Sequence, residues 1–140
     1  MFGSIADWGL LITAIITIIY THQEFMGYKE KEYNKLLSQL NKRYVSNKDV
    51  QDVVQYLRIV DPENKVPSTY QLELFLRFFE ELGLYLKTKS IKVTDVDSFF
   101  GFYLKQLYTS DKGKILLNKL KDDNEWENLK ICKEKLGITL

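Results

Sequence analysis

The fold is decided by residues 70–87, which read Tyr-Gln-Leu-Glu-Leu-Phe-Leu-Arg-Phe-Phe-Glu-Glu-Leu-Gly-Leu-Tyr-Leu-Lys. Their apolar side chains recur every three or four positions, which is the spacing of one face of an α-helix. The main stripe consists of Leu72, Phe75, Leu76, Phe79, Leu82 and Leu86, and it is widened by Leu74, Phe78 and Tyr85. We therefore expect a helix at the centre of the core, with Ser68 or Thr69 as its N-cap. Gly83 weakens such a helix by about 1 kcal/mol relative to alanine, which predicts close packing by a neighbouring segment.

Helical patterns continue on both sides of this segment. Upstream, Ser46 is the expected N-cap of a helix over residues 47–60. That helix should end at Asp61-Pro62, because the residue before a proline is disfavoured in helices. Downstream, Thr94–Asp97 resembles a capping box. It should open a helix whose inner face carries Phe99, Phe100, Tyr103, Leu104 and Leu107.

Two shorter helices are expected near the C-terminus, over residues 111–121 and 123–136. The first places Ile115, Leu116 and Leu120 together, and the second places Trp126, Leu129, Cys132 and Leu136 on one face. Gly137 should end the last helix. Since no alternating run of apolar and polar residues predicts a strand, the expected fold class is all-α.

The N-terminal segment has the character of a membrane anchor. Residues 8–21 carry no charge, and the stretch 4–21 just reaches the lower limit of about 17 residues for a helical span. A signal peptide would have a basic region before the apolar core, whereas Asp7 stands there. A buried core helix would show a polar stripe, but Thr13 and Thr17 are the only polar side chains between Trp8 and Tyr20. We therefore predict that residues 4–21 cross the lipid bilayer once.

The chain after the span predicts the topology and the domain organisation. The first 28 residues contain no lysine or arginine, whereas several follow closely, so the positive-inside rule places the C-terminal part in the cytoplasm, at the inner membrane. We expect a transmembrane anchor over 1–27, a helical stalk over 28–43 and a compact cytoplasmic bundle of about five helices over 44–140. Whether the span and the stalk form one continuous helix stays open.

Composition and spacing give few candidates for chemistry. The chain has 20 basic and 19 acidic residues, so its net charge of +1 provides no field for nucleic acid. The single cysteine, Cys132, and the single histidine, His22, match no metal-binding or nucleophile-base spacing. We expect no catalytic residue, no metal and no cofactor, and therefore no enzyme. Phe102 does not belong to the apolar face that helical spacing predicts for its helix, so we expect its side chain to be exposed. Together with Lys105 it is the candidate contact surface.

One resemblance rests on the order of these features: a short membrane segment with Asp7-Trp8, a basic stalk, residues 78–86 (Phe-Phe-Glu-Glu-Leu-Gly-Leu-Tyr-Leu), then Val96–Phe100 and Trp126-Glu127. The order resembles an uncharacterised bacterial and phage family of small membrane-anchored helical proteins. The resemblance covers most of residues 5–136 and is most specific over 78–86. Members typically continue with a second glycine, where this chain has Lys87-Thr88-Lys89-Ser90. The resemblance therefore implies an architecture rather than an activity.

Two functions from different classes stay open. The first is a protein-interaction module tethered to the membrane, with a protein partner of unknown identity. The alternative is a membrane effector in phage-host conflict, similar to abortive infection, whose short helix associates and disturbs the bilayer. Ala14 and Thr17 give this helix only a weak small-residue face. An enzyme ranks last, and self-association stays open.

Overall fold

A computed structural model describes residues 5–58, 65–120 and 126–138. These residues are all-helical and contain no strand, as the sequence predicts. The α-helices are α1 (Ile5–Ser46), α2 (Lys48–Arg58), α3 (Thr69–Lys87), α4 (Val93–Val96), α5 (Phe102–Thr109), α6 (Asp111–Leu117) and α7 (Glu127–Lys135). A π-helical turn, Asp97–Gly101, connects α4 directly to α5.

The chain divides into two units, the first ending at Leu36 and the second beginning at Leu37. The described part of the first unit is helical throughout and belongs to α1, which is a single helix of 42 residues. By length and composition α1 is able to cross a membrane, and none of the residues in its 18-residue apolar window is buried. The predicted division at residues 27 and 43 stays a prediction.

Helix α3 is the centre of the core in the second unit. It packs most extensively against α7 and next against α2. All six residues of its predicted stripe are buried, and Phe75, Phe79 and Leu82 are completely inaccessible. Helix α1 contributes Leu40 and Tyr44 to the same core. The prediction for α3 is confirmed because its burial follows its local periodicity.

The N-cap of α3 is also confirmed. The Ser68 hydroxyl accepts a hydrogen bond from the Gln71 amide at 3.2 Å, and the Gln71 side chain accepts one from the Ser68 amide at 3.0 Å. This reciprocal pair is a capping box, which satisfies backbone donors that a helix start leaves unpaired. The Gln71 amide group also donates to Asp52 of α2 at 2.7 Å, so the cap joins two helices.

Two other predicted N-caps are wrong. Asn47, not Ser46, caps α2, because its side-chain oxygen accepts from the amides of Asp49 and Val50 at 3.1 and 3.2 Å. The Ser46 hydroxyl instead donates back to the Lys42 carbonyl within α1. Thr94 lies inside the first turn of α4, which begins after Lys92 without a side-chain cap. A residue inside the helix cannot cap it, since capping requires a non-helical backbone at that position.

The C-terminal helices agree with their predictions in part. Leu116, Leu129, Cys132 and Leu136 are buried, but Ile115 is 52% exposed, so its predicted grouping with Leu116 is wrong. Helix α6 is only seven residues long, and its one buried stripe is occupied by Gly113 and Leu116. Gly137 follows α7 with φ of +75°, as expected for a helix-ending glycine. Four predicted boundaries lie outside the described residues: the helix end at residue 60, the turn at Asp61-Pro62, the helix end at residue 121 and the helix start at residue 123.

Candidate functional site

The predicted contact residues, Phe102 and Lys105, lie in α5 directly after the π-helical turn Asp97–Gly101. π-Helical turns are rare and frequently occur at functional sites. This turn is part of an uninterrupted helical stretch from Val93 to Thr109. Because its hydrogen bonds join residues five apart, it changes the angles at which the following side chains leave the helix.

The ring of Phe100 attaches the turn to the core. Its centroid lies 5.3 Å from the Tyr44 ring of α1 and 5.2 Å from the Phe78 ring of α3, both in edge-on arrangements. Phe100 is only 2% exposed. Edge-on aromatic pairs contribute about 0.5–1.5 kcal/mol beyond their buried area. The π-helical turn is therefore held by two other helices.

Two phenylalanines on this stretch face the solvent. Phe102 is 61% exposed, as the sequence pattern indicates, and its ring packs edge-on against Tyr103 at 5.0 Å. Phe99 is 53% exposed, so its predicted place in the core is wrong. The sequence analysis placed it on the inner face by α-helical spacing, but Phe99 lies within the π-helical turn, where that spacing does not hold. The sequence carries no clear signal for this second exposed ring.

Lys105 is not a free cation. Its ammonium group donates to the Asp97 carboxylate at 2.7 Å, and both side chains are partly exposed. Pairs of this kind contribute about 0.2–1 kcal/mol. The Asp97 carboxylate fits here because residue 101 is a glycine. A Cβ at residue 101 would lie 2.6 Å from the Asp97 carboxylate oxygen. Lys105 of α5 and Asp97 of the π-helical turn thus form an ion pair between these two elements.

The other candidates have structural partners. Burial raises the pKa of the Cys132 thiol to about 12, and the Glu80 carboxylate adds to the shift. A protonated, inaccessible thiol is a poor nucleophile. The Glu80 carboxylate accepts from the Leu129 amide in the first turn of α7 at 2.6 Å, whereas the adjacent Glu81 binds Arg43. The two carboxylates therefore face different helices, as expected for neighbours on a helix.

His22 lies exposed on α1, in the first unit. Among the described residues, no group of three or more histidine, cysteine, aspartate or glutamate side chains could hold a metal ion. Comparison with protein-family models finds no match, and searches of curated proteins and of solved structures find no similar chain.

Proposed function

We propose that this chain is a single-pass membrane protein whose cytoplasmic helical domain binds a partner protein through Phe99 and Phe102. The observation that carries the proposal is the exposure of both rings, Phe99 on the π-helical turn and Phe102 directly after it, while Phe100 holds the turn in the core. In this proposal, the domain is a compact bundle of about five helices at the inner membrane. The resemblance to the bacterial and phage family of anchored helical proteins agrees with this architecture.

The two rings have the character of an interaction hot spot. Large aromatic side chains supply much of the binding energy of protein interfaces when they enter a pocket of the partner. Phe99 and Phe102 remain in water, where their apolar surface is unfavourable. The neighbouring pair of Lys105 and Asp97 supplies a polar rim. Because the supporting turn is packed against α1 and α3, the rings need little ordering upon binding.

The membrane tether is supported by the exposure of the apolar part of α1. A core helix of a soluble protein would bury most of such a segment, whereas none of the 18-residue window of α1 is buried. Large side chains such as Leu10, Ile16 and Ile18 are 60–72% exposed. Apolar surface of this extent is expected to face lipid rather than water.

The experiment replaces residue 102 with a photoreactive phenylalanine analogue in cells and compares it with the same analogue at residue 115. Ile115 is a matched control because it is 52% exposed but lies on another helix. We expect a defined crosslinked product from position 102 that disappears when Phe99→Ala is added. No such product should form from position 115. Equal crosslinking from both positions would contradict the proposal.

The cellular phenotype of the gene separates binding from catalysis. Phe99→Ala and Phe102→Ala should abolish it at unchanged membrane abundance, whereas His22→Ala and Cys132→Ser should leave it intact. If His22→Ala or Cys132→Ser abolishes the phenotype at normal abundance, an enzymatic or redox role is favoured over binding. A phenotype that survives both phenylalanine changes but not Thr17→Ile would favour the membrane effector instead.

A further inference from the structure

A small cavity lies in the second unit, where the end of α1, the start of α2 and the middle of α3 come together. Its volume is about 170 Å³. Val50, Leu74 and Phe78 form an apolar wall, and the rim is polar. Pockets for drug-sized ligands usually begin at about 300 Å³, so this cavity has the size of a side chain or a short acyl group.

The charges at the rim do not cancel. Arg43 and Glu81 neutralise each other, because both carboxylate oxygens of Glu81 accept hydrogen bonds from the guanidinium of Arg43. The hydroxyl of Tyr85 adds a third hydrogen bond to Glu81 at 3.3 Å. Arg77 also lines the cavity and is exposed, and among the described residues it has no ion-pair partner. One positive charge therefore remains beside the apolar wall.

Asn47 supplies further donors. Its side-chain oxygen is occupied by the amides of Asp49 and Val50 in the cap of α2. This arrangement leaves the two hydrogens of the amide nitrogen for a group at the cavity, which Asn47 also lines. The planar guanidinium of Arg77 matches the two oxygens of a carboxylate.

We propose that this cavity binds a carboxylate that carries a short branched apolar stem, with Arg77 and Asn47 on the carboxylate and the stem against Val50, Leu74 and Phe78. Such a group occurs as a free short-chain acid and as the C-terminal leucine of a peptide. The site goes beyond the proposed function, since it involves neither Phe99 nor Phe102. It can therefore exist whether or not the exposed rings bind a partner.

The experiment uses the full chain in neutral detergent micelles, with the side-chain Nε–H signals of arginine observed by NMR. Titration with sodium 4-methylpentanoate should shift the Arg77 signal and the Val50 amide in a saturable manner. The uncharged analogue 4-methylpentanamide has the same shape and should produce at least about tenfold weaker binding, because the charge-assisted hydrogen bonds are lost. Equal binding of acid and amide would overturn the proposal.

Two arginine variants provide the matched comparison. Arg77→Gln should weaken 4-methylpentanoate binding about tenfold or more, whereas Arg58→Gln removes the same charge from α2 away from the cavity and should change nothing. Thermal melting by circular dichroism should be the same for both variants and the wild type, since both arginines are exposed. Unchanged binding by a folded Arg77→Gln variant would overturn the site.

Two further probes define the ligand. Inorganic phosphate lacks the stem and should bind more weakly than 4-methylpentanoate, and equal affinity would overturn the role of the apolar wall. The peptide acetyl-Gly-Gly-Leu is compared with its C-terminal amide to distinguish the two sources of the carboxylate. Tighter binding of the acidic peptide than of 4-methylpentanoate assigns the site to a protein C-terminus, and tighter binding of the free acid assigns it to a small metabolite.

Discussion

Arg43 and Glu81 form a two-point ion pair that joins the end of α1 to α3. One guanidinium nitrogen lies 2.9 Å from Oε1 and the other 2.6 Å from Oε2. The hydrogen bonds from Arg43 hold the pKa of the Glu81 carboxyl below its ordinary value of 4.5, although burial opposes the shift. The ion pair therefore joins the end of α1 to α3 only while the Glu81 carboxyl is ionised.

Glu81→Gln should make the domain less stable at neutral pH, and the loss should depend on pH. Because the pKa of Glu81 is lower in the folded chain, its contribution is present above pH 4.5 and disappears as the pH falls through the folded value. The side chains are 58% and 30% exposed, so we expect only about 0.5–1 kcal/mol. Urea unfolding of wild type and variant at several pH values measures this difference. Glu73→Gln on the same helix is the control, because it removes a carboxylate and leaves the pair of Arg43 and Glu81 intact.

Gly83→Ala should weaken the contact between α3 and α7. A Cβ at residue 83 would lie 1.8 Å from the carbonyl oxygen of Asn128, so the two helices must move apart. This close approach confirms the packing that the sequence predicted at Gly83. We expect a loss of about 1–3 kcal/mol in urea unfolding. Gly27→Ala is the control, because a Cβ at residue 27 has no atom within 4 Å and should not destabilise the chain. Similar losses of stability for Gly83→Ala and Gly27→Ala would contradict this explanation.

Tyr44→Phe should increase stability. The Tyr44 hydroxyl is buried and has no hydrogen-bond partner among the described residues, which costs about 1–3 kcal/mol. Burial raises the pKa of Tyr44 above its ordinary value of 10.0, and the charge of Tyr103 adds to the shift. The folded wild type should therefore lose stability as the pH rises above 10.0, and the variant should lose less. A variant that melts at a lower temperature than wild type would show that the hydroxyl has a partner.

A fragment of residues 37–140 should be more stable than one of residues 44–140. Leu40 is 1% exposed, and it belongs to the second unit together with Arg43. Removing a buried leucine usually costs about 2–5 kcal/mol. Both fragments should give helical circular dichroism spectra, but the shorter one should melt at a lower temperature. Identical melting curves would support the predicted boundary at residue 44.

The sequence predicted correctly which residues are buried wherever burial follows the spacing of apolar residues along one helix. The stripe of α3 is an example, because one uninterrupted α-helix determines which face its residues share. Phe99 could not be placed in this way, since it lies in a π-helical turn whose Phe100 packs against Tyr44 and Phe78. These partners lie in segments far apart in the chain.

The candidate site was predictable to a similar extent. The exposure of Phe102 followed from the apolar pattern, but the partner of Lys105 did not. Asp97 is eight residues away, which is beyond the spacings of three and four at which helical ion pairs are usually sought. The N-cap at Asn47 was missed because Ser46 and Asn47 are adjacent and both are favourable caps. Which of them caps the helix depends on where α1 ends.

Ile15→Arg should release the chain from the membrane. Ile15 is exposed and lies in the middle of the predicted span, residues 4–21. A charged side chain at the centre of a span costs about 2.5–3.5 kcal/mol on insertion scales, and a span near the minimum length has few other apolar residues to offset it. The variant should leave the membrane fraction after carbonate washing, whereas Ile15→Leu should remain. Since the second unit contains none of residues 4–21, its urea unfolding should be the same in both variants. If the arginine variant stays in washed membranes, residues 4–21 are not the anchor.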